Sequence, residues 1–158
     1  MSGALSKVKV LIYLLIIVSY FFVSFNTYKD EKIHLGGDNV AYYLLAKSLS
    51  EGKGYNNNHI VGKKDGVIVE SVAHTHFPPG FPAVMAPFMS VFGSDIATAK
   101  NINGFFLLLS SIVLFFLLRV LKLGDNLSLI SSVFLLHNYY VLYFSMYLYS
   151  EIAFMLFL

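Results

Sequence analysis

The sequence predicts an all-α membrane protein, a polytopic bundle of transmembrane helices with one large first extracytoplasmic loop that contains amphipathic helices. Three observations predict it. Hydrophobic residues make up 57% of the 158 positions and charged residues 13%, against about 25% charged in a soluble domain. The apolar residues gather in long runs, with no charge from Val10 to Phe25, from Phe105 to Leu118 or from Leu127 to Tyr149. With their flanks these runs reach the roughly 20 residues that cross a bilayer. Residues 27–95, between the first two runs, hold most of the polar side chains and all four prolines.

The first helix is expected over about Lys9 to Asn26. A cleaved signal peptide would share its basic start, Lys7 and Lys9. Tyr20, Phe21, Phe22 and Phe25 stand where small residues would mark cleavage, so a retained helix is the expectation. The second helix spans about Ile96 to Leu121 and ends on Arg119 and Lys122. After the turn Leu123–Asn126, where Asn126 or Ser128 is available as a cap, a third runs from Leu127 to about Tyr143. A fourth begins near Tyr147 and reaches Leu158 unfinished, because Ile152 to Leu158 carry no polar flank. The chain therefore reads as one N-terminal transmembrane module, 1–158, of a larger protein.

Positive charge near helix ends orients such a bundle. Lys7, Lys9, Arg119 and Lys122 flank short segments and place the N-terminus in the cytoplasm. The lysines of the long loop oppose this, but the rule weakens in loops longer than about 60 residues. Loop 27–95 is then outside, in a multi-pass integral membrane protein. Within it, DNVAYYLLAKSLSEG (38–52) reads as an amphipathic helix with Val40, Ala41, Leu44, Leu45 and Leu49 on one face. Asp38 stands at its N-cap and Gly52 at its stop. HIVGKKDGVIVESV (59–72) reads as a hairpin around Lys64-Asp65-Gly66. FPPGFPAVMAPFMSVFG (77–93) is apolar, too short to span and rich in proline, which suits an interfacial or re-entrant segment.

Three places could carry chemistry. Asp38 follows two glycines at a helix start beside the membrane; an N-cap and a general base are both open to it. His74 and His76 share one face if the strand is extended, the spacing of a metal pair, though loop histidines also stand free. Glu151 is an ionisable group in an apolar run, a functional candidate by default or a carboxylate at the start of the fourth helix. Lys100, Asn101 and Asn103 add polar groups at the outer end of the second helix, and His137 with Asn138 can bond between helices. The tyrosines from Tyr139 to Tyr149 suit an interfacial belt. There is no cysteine, hence no disulfide or thiolate site, and a net charge of +2 gives no reason to expect a nucleic acid partner.

GGDNVAYYLLAKSLSEGKGY, HTHFPPGFPAVMAPF and YSEIAF together resemble the N-terminal part of GT-C-fold membrane glycosyltransferases. The nearest branch is the family 39-like group, related to protein O-mannosyltransferases and aminoarabinose transferases. The resemblance implies an enzyme that takes a sugar from a polyprenyl-phosphate donor at the extracytoplasmic face of what is expected to be a prokaryotic plasma membrane. It makes Asp38 the catalytic carboxylate and gives Glu151 an assisting role or a share in a metal site. Tyr42, Tyr43, His76, Pro78, Pro79 and Lys100 become substrate-binding candidates. A divalent metal is the one cofactor it leaves room for, with Glu151, His74 and His76 as the candidate ligands. Where the mannosyltransferase branch has Asp-Glu, this chain has Asp38-Asn39. The alternative is a non-enzymatic membrane protein, a transporter or assembly component with a partner-binding loop.

Overall fold

The computed structural model describes residues 37–56 and 76–157, with Lys29 and residues 11, 12, 14–16, 18–20 and 22. The expected hairpin at 59–72 and His74 lie outside the described residues. All regular structure among the described residues is helical. Residues of the first apolar run are helical, followed by α1 (Asp38–Ser50), α2 (Gly80–Phe92), α3 (Ile96–Val120), α4 (Asp125–His137), α5 (Tyr139–Met146) and α6 (Glu151–Phe157).

The α1 stretch is rich in alanine, leucine and lysine, good helix formers. Its end is a glycine stop: Gly52 adopts φ +70°, its N–H donates to Leu49 O (3.0 Å), and Lys53 N–H donates to Ser48 O (2.9 Å). That pattern closes the last carbonyls, and the left-handed residue it needs is the one glycine supplies without strain. The expected stop is therefore borne out. The expected cap is not. Gly37 is the N-cap and Asp38 the first helical residue, with no side-chain cap bond. The buried face also differs, because Asn39, Tyr42, Tyr43, Leu45, Ala46 and Ser48 turn inward. Their partner is α2, whose Phe81, Met85 and Met89 complete a shared core.

α2 is a continuous helix in spite of its prolines. Pro79 caps it and Pro82 falls in the first turn, where backbone N–H groups have no partner within the helix. Pro87 removes an interior hydrogen bond, and both it and Ala83, whose carbonyl is left over, face outward. Three residues link α2 to α3. Asp95 caps α3, accepting from Thr98 N–H (2.8 Å) and from the Thr98 hydroxyl (2.7 Å).

α3 holds 25 residues, about 37 Å of helix, and is long and apolar enough to cross a membrane. Phe105, Ile112, Val113, Phe116, Leu117 and Val120 on its outer side are exposed. Its inner side packs against α4, α5 and α6. The third expected span is broken: α4 and α5 meet at a 49° bend. Asn138 makes the break, since its Oδ1 accepts from Tyr140 N–H (3.0 Å) and Val141 N–H (3.3 Å) and starts a new helix. α4 begins earlier than expected, at Asp125 after Gly124, so neither Asn126 nor Ser128 caps it. α6 likewise starts at Glu151, not Tyr147, because residues 147–150 form a turn.

Small polar residues let the helices approach. Ser111 Oγ donates across to Ser132 O (2.9 Å), and Ser132 Oγ to Ser128 O (2.9 Å). At the far end Arg119 pairs with Asp125 (2.6 Å). Tyr20 of the N-terminal segment donates to Gly104 O (2.6 Å), and Ser19 Oγ lies 3.3 Å from His137 Nε2. His137 Nδ1 stands 3.0 Å from Val133 O, which can only accept, so this nitrogen carries the proton.

Candidate functional site

Two polar regions lie toward the N-terminal end of α3. The first joins α1 to the turn before α2. Asp38 is exposed, in the first turn of α1, where the helix dipole favours a carboxylate. No hydrogen bond or ion pair holds its side chain among the described residues. Beside it Asn39 is 2% exposed, and its Oδ1 lies 3.0 Å from the place a Cβ on Gly37 would take. A side chain at 37 would press on that amide, which accounts for a glycine there.

One turn along α1, on the face that Asp38 shares, Tyr42 packs its ring against Phe77 (5.4 Å) and edge-on against Phe81 (5.5 Å). His76 stands edge-on to Phe77 (4.9 Å), and Tyr55 donates to Phe77 O (2.9 Å). Burial of Tyr55, with Tyr42 beside it, raises its pKa. His76, Pro78 and Pro79 are exposed at the edge of this cluster. The structure thus brings Tyr42 against the segment that holds His76, Pro78 and Pro79, with Asp38 one turn before Tyr42 on α1. It sets Tyr43 apart, since its hydroxyl donates to Ser94 O (2.8 Å) and ties α1 to the start of α3. Burial, then the charges of Asp95 and Glu51, push the Tyr43 pKa up and keep it a donor. Asp95 is shifted the other way, held down by the hydroxyl and the N–H of Thr98.

The second region lies along α3. Lys100 is 2% exposed and Asn103 fully buried, one turn apart on the same face. Asn103 Nδ2 donates to Ser145 O (3.0 Å) and reaches Tyr149 O (3.5 Å), while its Oδ1 has no partner among the described residues. Between those carbonyls Leu148 is held at φ +59°, a conformation that costs a leucine about 1–2 kcal/mol. Glu151 follows, exposed in the first turn of α6 and without a hydrogen bond or ion pair among the described residues. No hydrogen bond or ion pair among the described residues joins it to a group on α1.

Glu151 and His76 have no third ligand near them: no three His, Asp or Glu side chains gather among the described residues. Within the apolar part, a cleft of about 400 Å³ lies between the N-terminal segment, α3 and α4, lined by Ile16, Leu108, Ile112, Phe115, Val133 and Leu136. The hydroxyl of Tyr20 and the cap at Asp95 escaped sequence reasoning. The Asp-x-x-Thr spacing ahead of an apolar run was a signal for that cap. A tyrosine inside an apolar run carries none. No family model matches this chain, and neither a curated protein nor a solved structure does.

Proposed function

We propose that this chain is part of a membrane-embedded glycosyltransferase of the GT-C type that takes a sugar from a polyprenyl-phosphate donor at the extracytoplasmic face. The observation that carries the reading is the placement of Asp38. It is an exposed carboxylate at a helix start, unengaged among the described residues, one turn from a tyrosine packed into the Phe77–Phe81 turn, on a layer joined by three residues to a helix of membrane-spanning length. A carboxylate so held suits a general base. It would take the proton of an acceptor hydroxyl as that oxygen bonds the anomeric carbon and the polyprenyl phosphate leaves, inverting the centre. Glu151 would assist from the start of α6. His76, Pro78 and Pro79 would border the donor, with Tyr42 shaping their turn. The apolar cleft gives a hydrocarbon chain a place to lie, and Lys7, Lys9, Arg119 and Lys122 would mark the cytoplasmic side.

The test is Asp38→Asn in the full-length protein, assayed in native membranes with a panel of polyprenyl-phosphate sugars. The expected result is a loss of transfer of about 10²–10⁴-fold at unchanged protein level; wild-type turnover would remove the assignment.

One observation favours a second reading, a transporter: the broken α4–α5 segment meets buried Asn103 at the end of α5, one turn of α3 from buried Lys100, as polar groups and broken helices do along a transport path. Solute uptake into proteoliposomes without any glycosylated product would select it.

A further inference from the structure

Asn103 is a fully buried amide on the helix long enough to span a membrane, a place where leucine would fit at no desolvation penalty. Its NH₂ group has two hydrogens and two carbonyls to receive them, Ser145 O at 3.0 Å and Tyr149 O at 3.5 Å. Those carbonyls belong to the end of α5 and to the turn that leads into α6. Between them Leu148, itself fully buried, adopts the left-handed conformation that leucine avoids. Such a turn persists only where its surroundings over-determine it. Here the restraints are Tyr147 N–H on Tyr143 O (3.1 Å), Tyr149 N–H on Phe144 O (3.1 Å), the Leu148 side chain in the core, and the amide from α3. Two residues beyond Tyr149, Glu151 is exposed, while Ile152 and Ala153 are buried in the core that α3 shares. The turn so restrained leads directly into Glu151, the first residue of α6.

We infer that Asn103 is a positioning residue: its buried amide clamps the 147–150 turn from α3 and so fixes where Glu151 stands. The inference rests on the proposed transferase reading for the role of Glu151, but the clamp itself does not. Asn103 touches no reacting atom and acts only through the turn. Replacing it by leucine keeps the volume and the apolar character of α3 and removes both donors. Asn103→Met removes both donors with a different side-chain shape.

The chain has no cysteine, so a spin label can be placed singly at E151C and, as a control, at I130C on the exposed side of α4. In full-length protein, Asn103→Leu and Asn103→Met are expected to turn an ordered spectrum at 151 into a mobile one and to leave 130 unchanged. Mobility gained at both positions, or at neither, would overturn the clamp. In the native Glu151 background, kcat for sugar transfer is expected to fall about 10–100-fold with the donor KM unchanged. A mobile 151 with unaltered kcat would uphold the clamp and overturn the catalytic role of Glu151. Absence of transfer in the unsubstituted protein would overturn the transferase reading, with the label spectra still deciding the clamp.

Discussion

The α1–α2 layer and the α3–α6 group solve the same problem, holding a carboxylate at a helix start, by different means. In the layer, backbone ends are closed locally, by Gly52 at one end of α1 and by the Asp95–Thr98 cap where the layer meets α3. Aromatic rings and Met85 provide the packing, and the polar groups at its edge, Asp38 and His76, are exposed. In the α3–α6 group, buried side chains also reach carbonyls of a neighbouring helix: Ser111 to Ser132, Tyr20 to Gly104, Asn103 to Ser145. A buried amide or backbone group needs a protein partner, and in that group the partner comes from a neighbouring helix. The difference teaches that equivalent substitutions will act differently in the two regions.

The comparison is tested most strongly at the two cores. Met85 in the layer and Leu107 in α3 are both fully buried. Truncating Met85 to alanine is expected to lower stability by roughly 2–5 kcal/mol. On the membrane reading proposed above, Leu107→Ala should fall at the low end of that range, because lipid would remove the hydrophobic drive and leave only packing. Thermal unfolding in a lipid-like detergent checks both, and equal losses would erase the distinction. Smaller effects belong to the helix ends. Asn138→Ala should cost about 1 kcal/mol through the lost cap and reduce the α4–α5 bend, whereas Gly52→Ala should cost about as much through strain at φ +70° and bend nothing. Spin-label distances across α4 and α5 separate the two outcomes.

The smallest expected effect is a pH dependence. Asp95 has its folded pKa lowered by the Thr98 bonds. Its stabilisation is therefore present above the unfolded carboxylate value, about 3.9, and is lost as pH falls through the lower folded value. Asp95→Asn, whose side-chain oxygen can still accept from Thr98 N–H, should flatten that acid limb. An unchanged acid limb would mean that Asp95 is not its source.

The ends of α3 were legible because Asp95 and Arg119 bracket a long apolar run, and α1 because glycine stands on both sides of it. The inward face of α1 was not legible. Hydropathy pointed to Val40 and Leu44, whereas rings and a buried amide, at Tyr42 and Asn39, turn inward through specific partners. α2 was obscured by counting prolines without placing them, for two of the four precede the helix and a third lies in its first turn. The break at Asn138 was hidden by a local contest, in which its side chain caps α5 instead of bonding between helices. For the site, sequence singled out Asp38, His76 and Glu151. That Tyr42 meets the 76–79 turn follows from Phe77 and Phe81, whose spacing carries no such message. Asn103's hold on the turn before Glu151 depends on two backbone carbonyls 42 and 46 residues away.

The central claim, that the Asp38–His76 side of the molecule meets a polyprenyl-phosphate sugar, is tested most directly by photo-crosslinking. His76 precedes α2, which leads into the start of α3, Gly124 follows the end of α3, and neither is buried. A photoreactive residue at 76, irradiated in membranes containing a tritiated polyprenyl-phosphate sugar, should label the donor, and excess unlabelled polyprenyl phosphate should compete it away. The same residue at 124 should give only background. Equal labelling at both positions, or labelling at 124 alone, would contradict the account.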